Sequence, residues 1–136
     1  MFALGDSQYT QQTGMSDGPV LITEDDPEIR EALELLLADV GFRVLTAENG
    51  RQALNLLRQL RGTPDFPTVM LLDLMMPTMN GWELLVELRA DPGLAALRVV
   101  IVSAFADQAP TEGVHAVLKK PVQVSQLLGA LQSATH

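Results

Sequence analysis

Acidic, hydroxyl and ammonium side chains lie close after four of the short apolar runs in the 136-residue sequence. Glu24 and Asp25 follow the first run, and Asp73, Ser103 and Lys120 follow the third, fourth and fifth runs. The carboxyl ends of parallel strands meet at one edge of a sheet, where ligands bind. Converging carboxylates repel one another unless a cation lies between them, and hard oxygen ligands suit Mg²⁺. The sequence therefore predicts a magnesium site, where Lys120 and Ser103 could hold a phosphoryl group.

The elements that would position these side chains alternate along the chain. Apolar runs that suit strands covered on both faces begin at Val20, Val44, Val69, Val99 and Ala116. Amphipathic helical patterns lie between or after them at residues 27–40, 51–60, 81–90 and 124–133. The first pattern begins after a possible cap at Asp26 and stops at Gly41. This alternation predicts an α/β fold, an open parallel sheet of five strands with helices on both faces.

The segment between Ser103 and His115 departs from this alternation. A fourth crossover helix is expected there, yet the segment contains Pro110 and Gly113 and has no apolar stripe. Pro and Gly both interrupt helices. We therefore expect a shortened or irregular turn in place of that helix.

The first part of the chain has a different composition from the rest. It is polar and rich in Gly, Ser, Gln and Thr, and it shows no period that would bury a face. We interpret residues 1–17 as a flexible N-terminal extension or the remnant of a tag. Residues 18–136 would then form one domain, which is long enough to bury a core without disulfides or a structural metal.

The overall composition excludes several classes of protein. Nine basic and 17 acidic side chains give a formal net charge of -8, which opposes direct binding to a nucleic-acid backbone. The sequence contains no Cys, so disulfide frameworks, zinc knuckles and cysteine nucleophiles are excluded. No apolar run approaches the roughly 20 residues that span a bilayer. We therefore expect a cytoplasmic protein that makes no direct contact with nucleic acid or membrane.

Four motifs stand at the predicted strand ends. They are VLITEDDP at 20–27, LLDLMMPTMNG at 71–81, VSA at 102–104 and KP at 120–121. In this order and at these places they resemble the receiver (phosphoacceptor) domains of two-component response regulators, over residues 18–131. The resemblance implies a flavodoxin-like doubly wound sheet with strand order 2-1-3-4-5. It also implies a cis peptide bond before Pro121.

The resemblance assigns roles to particular residues. Asp73 would be the nucleophile that accepts a phosphoryl group and becomes an aspartyl phosphate. Ser103 and Lys120 would contact that group and complete the catalytic set. The Mg²⁺ ion would be held by Asp25 directly, by Glu24 mainly through water, by Asp73, and by the backbone carbonyl of Met75.

The same resemblance implies a signalling function. The phosphoryl group would come from a histidine kinase or a histidine phosphotransfer protein in a two-component or phosphorelay pathway. The new charge would switch a surface for an unknown downstream protein. The domain would assist its own phosphoryl transfer and hydrolysis without being a separate enzyme.

Two departures from the family leave an alternative open. Receivers commonly carry Tyr or Phe three residues before the final Lys, where this chain has Val117, and the 103–117 segment is shorter than usual. A receiver-like interaction module that acts independently of phosphorylation is therefore the second hypothesis. A dehalogenase-like phosphatase is disfavoured because Met75 stands where its second Asp is needed. A cofactor-binding flavodoxin would need a Gly-rich phosphate loop after the first strand, which is acidic here.

Overall fold

Five short strands form one parallel sheet in the computed structural model, which describes residues 18–135. The predicted flexible segment at 1–17 lies outside the described residues. The strand order is 2-1-3-4-5, as the resemblance implies. The strands are β1 (Val20–Thr23), β2 (Val44–Ala47), β3 (Val69–Leu72), β4 (Arg98–Ser103) and β5 (Ala116–Lys119).

Four helices cover the two faces of the sheet. They are α1 (Pro27–Val40), α2 (Gly50–Leu60), α3 (Gly81–Ala90) and α4 (Val124–Ala134). Apolar side chains of α2 and α3, such as Leu57 and Leu84, share one buried cluster with Leu21 and Met70 of the sheet. Side chains of α1 and α4 contribute to a second cluster on the opposite face. The predicted doubly wound architecture is confirmed.

The ends of α1 follow the predicted signals, but its buried face is narrower than predicted. Asp26 Oδ1 accepts hydrogen bonds from the amides of Glu28 at 2.9 Å and Ile29 at 3.3 Å. Gly41 ends the helix with a positive φ of 107°. Ile29 and Val40, which the sequence predicts to lie with Leu33, Leu36 and Leu37 on the apolar side of this helix, are exposed. Of the side chains of α1, only that of Leu37 is fully buried.

The segment after β4 is irregular, as predicted. Its regular structure is one 3₁₀ turn at Ala106–Gln108. Two side chains of α3 hold this segment: Trp82 Nε1 donates to the carbonyl of Gln108 at 3.4 Å, and Arg89 donates to the carbonyl of Glu112. The segment at 104–114 is therefore fixed to both ends of α3, without forming a crossover helix of its own.

Two further features agree with the sequence analysis. The peptide bond between Lys120 and Pro121 is cis. None of the helices within residues 18–135 is long and apolar enough to span a membrane.

Candidate functional site

Three carboxylates meet at the carboxyl edge of the sheet. Glu24 and Asp25 follow β1, Asp73 follows β3, and one carboxylate oxygen from each lies within 4.8 Å of the others. The two strands are adjacent and parallel, with Thr23 opposite Leu72 in the register. Because each acid continues directly from its strand, the pairing of β1 with β3 fixes their proximity.

The backbone around Asp73 is held from two sides. Its amide donates to the carbonyl of Thr23 at 3.1 Å, which extends the strand ladder by one residue. Gly81, at the start of α3, packs so closely that a Cβ there would lie 2.7 Å from the Asp73 carbonyl oxygen. The Met75 amide lies 3.4 Å from Asp73 Oδ1. Asp73 is buried in this setting, with 8% of the residue exposed.

Lys120 brings a positive charge into the cluster. Its Nζ lies 2.7 Å from Glu24 Oε1 and 3.5 Å from Asp73 Oδ2. Glu24 is 4% exposed, and its other oxygen accepts from the Asp26 amide at 3.1 Å. The ammonium therefore pairs most closely with Glu24, a contact that the sequence analysis did not foresee. The two residues are 96 positions apart and are predicted to share one edge of the sheet, but which carboxylate the ammonium contacts depends on side-chain geometry.

Ser103 ends β4, beside β3, and is fully buried. Its hydroxyl oxygen accepts a hydrogen bond from the amide of Phe105 at 3.1 Å. Its backbone carbonyl accepts from the amide of Lys120 at 3.1 Å. The side chains of Met75 and Phe105 are exposed. Ser103 is therefore tied through hydrogen bonds both to Lys120 and to the segment that follows β4.

The pKa values of two groups in this cluster, Glu24 and Lys120, are raised above their ordinary values. Burial raises the pKa of the Glu24 carboxyl above 4.5, because the Lys120 and Asp26 contacts do not offset the loss of water and Asp73 adds repulsion. Burial opposes the charge of Lys120, yet its hydrogen bond to Glu24 and the charges of Asp73 and Glu24 raise its pKa above 10.5. Burial is thus the main cause of the raised pKa of Glu24, whereas the two facing carboxylates raise the pKa of Lys120. An oxygen-rich donor set with excess negative charge fits a hard divalent cation.

The raised pKa of Glu24 predicts a pH dependence of stability. Folded Glu24 binds a proton more tightly than unfolded Glu24, so the stability it contributes is present below pH 4.5 and is lost as pH rises through the folded pKa. In EDTA, the unfolding free energy of the wild type minus that of Glu24→Gln should fall between acidic and neutral pH. Lys120 stays protonated over this range. Urea unfolding at several pH values measures the difference, and a constant or rising difference would contradict the argument.

Arg30 of α1 is a further residue at the site that the sequence analysis missed. Its Nη1 donates to the carbonyl oxygen of Glu24 at 2.9 Å. A charged residue in the first turns of a helix is usually solvated, so the type and position of Arg30 did not indicate a contact with the site. The contact depends on the direction in which α1 leaves the acidic loop, residues 24–26, that follows β1.

Comparisons with known proteins match most of the chain. A family model described as the response regulator receiver domain matches residues 20–132. A response regulator receiver protein of Anaeromyxobacter sp. (strain Fw109-5) is 43% identical over 113 residues, which cover 79% of this chain and 44% of that protein. The chain thus spans less than half the length of that relative.

Solved structures show the same architecture. A sensor protein from Polaromonas sp. JS666 is 31% identical with a TM-score of 0.76, and the match covers 87% of this chain and 95% of that one. A CheY-like response regulator receiver domain protein from Methanospirillum hungatei JF-1 is also 31% identical, with a TM-score of 0.69 and coverage of 88% and 92%. The sheet order and the helices on both faces are therefore shared with these structures.

Proposed function

Because the chain belongs to the response regulator receiver domain family, we propose that it is a Mg²⁺-dependent phosphoacceptor in a two-component or phosphorelay pathway. The phosphoryl donor is a histidine kinase or a histidine phosphotransfer protein, and the acceptor is Asp73. The observation that carries the proposal is the cluster of Glu24, Asp25 and Asp73 within 4.8 Å, with Lys120 in contact with two of its members. Residues 18–136 form the domain in this proposal.

In the proposed reaction, a carboxylate oxygen of Asp73 forms a bond to phosphorus while the bond from phosphorus to the donor imidazole breaks. The imidazole nitrogen keeps the electron pair of that bond. Asp25, Asp73 and the backbone carbonyl of Met75 would hold Mg²⁺, and Glu24 would act mainly through water. The bound ion supplies positive charge to the transferring oxygens. Two anions are brought together in this step, so the protein must provide compensating charge.

Lys120 and Ser103 provide the remaining contacts to the phosphoryl group. The ammonium of Lys120 is already 3.5 Å from Asp73 Oδ2, which supports a contact between this ammonium and an oxygen of a phosphoryl group bonded to Asp73. The hydroxyl of Ser103 carries one proton, and it can donate that proton in a hydrogen bond to a phosphoryl oxygen. Attack of water on phosphorus breaks its bond to the Asp73 oxygen, releases inorganic phosphate and restores the Asp73 carboxylate. The domain thus assists its own phosphorylation and hydrolysis as a signalling domain.

The phosphoryl group would also alter the surface beside α3. Ser103 Oγ accepts from the Phe105 amide, and the segment at 104–114 is held to α3 through Trp82 and Arg89. Movement of Ser103 toward the phosphoryl group would strain that amide contact and displace the segment. This route needs no aromatic ring at Val117. A downstream protein would recognise the changed surface.

Trp82 is the only Trp in the sequence, so its fluorescence can report this displacement. Addition of Mg²⁺ and beryllofluoride is expected to shift its emission, because the indole contact to Gln108 changes. The Ser103→Ala variant, loaded to the same extent, should show no comparable shift. Identical emission of the loaded and unloaded wild type would contradict the proposed route, and an equal shift in Ser103→Ala would indicate direct quenching by the ligand.

The proposal as a whole is tested by intact mass after incubation with Mg²⁺ and acetyl phosphate. A phosphoryl adduct that requires Mg²⁺ is expected. No adduct, together with no Mg²⁺-dependent binding of beryllofluoride, would favour the phosphorylation-independent interaction module. The intact set of Glu24, Asp25, Asp73, Ser103 and Lys120 supports the phosphoacceptor over that module.

A further inference from the structure

The side chain of Arg30 reaches back from α1 to the acidic loop that follows β1. Its Nη1 lies 2.9 Å from the carbonyl oxygen of Glu24 and 3.4 Å from that of Asp25. The Arg30 amide also donates to the Asp26 carbonyl at 2.9 Å, within the first turn of α1. The backbone of Arg30 is therefore held within the first turn of α1, while its guanidinium contacts the carbonyl groups of two successive residues of the loop.

Among the clustered carboxylates of Glu24, Asp25 and Asp73, that of Asp25 is the one whose direction depends most on the backbone. The Glu24 carboxylate is fixed by Lys120 and the Asp26 amide, and the Asp26 carboxylate caps α1. By contrast, the Asp25 carboxylate is exposed and makes no hydrogen bond or ion pair with another residue in the 18–135 range. Its direction is thus set by the peptide units on either side of it. The carbonyl groups of both units face Arg30.

We propose that Arg30 is a positioning residue of the cation site: by binding the carbonyls of Glu24 and Asp25, it aims the Asp25 carboxylate toward Asp73. The inference rests on the proposed function, since the site must bind a divalent cation for the role to matter. A guanidinium suits the task because it is more weakly hydrated than an ammonium, and here one nitrogen, Nη1, reaches both carbonyl oxygens. Arg30 itself touches neither the cation nor the reacting atoms.

A positioning role for Arg30 and a simple effect of its charge predict opposite changes in Mg²⁺ affinity when Arg30 is lost. A positive charge near a cation site repels the cation, so charge alone predicts that loss of Arg30 strengthens Mg²⁺ binding. Positioning predicts that its loss weakens binding, because Asp25 is then free to sample other directions and must be ordered when the ion binds. The sign of the change in affinity therefore separates the two explanations.

The experiment titrates MgCl₂ into wild type, Arg30→Met, Arg30→Lys and Arg98→Met, and follows the amide signals of the acidic loop by NMR. Arg30→Met is expected to raise the Kd for Mg²⁺ about tenfold, the change that corresponds to the loss of one good charged hydrogen bond. Arg30→Lys retains the charge, but its side chain is shorter and its ammonium is more strongly hydrated, so about a threefold rise is expected.

Arg98→Met is the matched control for loss of one positive charge. Arg98 is exposed and begins β4, a six-residue strand, so about 16 Å of strand separates it from the carboxyl edge. Its Kd for Mg²⁺ should equal that of the wild type. Thermal unfolding of each variant without Mg²⁺ measures any loss of fold stability separately.

The possible outcomes are distinct. A wild type that binds no Mg²⁺ would contradict the proposed function itself. A wild type that binds Mg²⁺ while Arg30→Met binds it equally or more tightly would overturn the positioning role alone, even if the thermal midpoint falls. If Arg30→Met does not fold, Arg30→Lys decides: wild-type affinity in that variant overturns the role, and weaker binding supports it.

Discussion

Asp73→Asn is expected to form no phosphoryl adduct with Mg²⁺ and acetyl phosphate, whereas the wild type is expected to form one. An amide at this position has the shape of the carboxylate but no anionic oxygen to bond to phosphorus. The surrounding backbone contacts to Thr23 and Gly81 do not involve the side chain, so the fold should persist. Intact mass spectrometry after equal incubation times measures the adduct in both proteins.

Asp26→Asn provides a matched control in the acidic loop. Asn caps helices about as well as Asp, so the bonds from Asp26 Oδ1 to the amides of Glu28 and Ile29 can be replaced. This variant loses the same charge and should still form the adduct. An adduct of equal yield in Asp73→Asn would place the acceptor elsewhere and contradict the assignment.

Lys120→Met is expected to destabilise the protein in EDTA by about 3 kcal/mol, the lower end of the cost of removing one partner from a buried ion pair. The lower end of this cost applies because the Lys120 side chain is 22% exposed and keeps part of its contact with water. Its removal leaves the buried Glu24 carboxylate beside Asp73 with no ammonium to offset either charge. Urea unfolding measures the loss. Mg²⁺ should restore part of it, because an ion that binds only the folded state stabilises that state.

Lys119→Met is the control for this prediction. Lys119 is the adjacent residue, but its side chain is 64% exposed and lies 4.0 Å from Asp107, which is itself exposed. Exposed pairs of this kind contribute little, so the change in unfolding free energy should stay within about 0.5 kcal/mol. Equal losses in the two variants would mean that the Lys120 contacts to Glu24 and Asp73 add no stability.

The parallel sheet and the meeting of the acids could be anticipated because they depend on local patterns and on one topological rule, whereas the strand order was implied by the resemblance to receiver domains. Runs such as residues 69–72 are apolar throughout, which marks strands buried on both faces. Once such strands are parallel, the residues that follow them must lie at one edge. The irregular 104–114 segment was also predictable, because Pro110 and Gly113 oppose a helix.

The contacts within the site could not be anticipated in the same way. Whether Lys120 pairs with Glu24 at 2.7 Å or with Asp73 depends on side-chain rotamers and on the extra methylene of Glu. The Arg30 contact depends on the angle at which α1 leaves the loop. The exposure of Ile29 and Val40 depends on how much of α1 lies against the sheet. None of these quantities is set by the pattern of apolar residues alone.

The attachment of the 104–114 segment to α3 couples the position of this segment to that of the helix. Trp82 and Arg89 are seven residues apart, so their contacts lie about 10 Å from each other along the helix axis. A crossover helix between parallel strands runs from the carboxyl edge of the sheet toward the opposite edge. In the proposed switch, a shift that begins at Ser103 would therefore reach α3 near both of its ends.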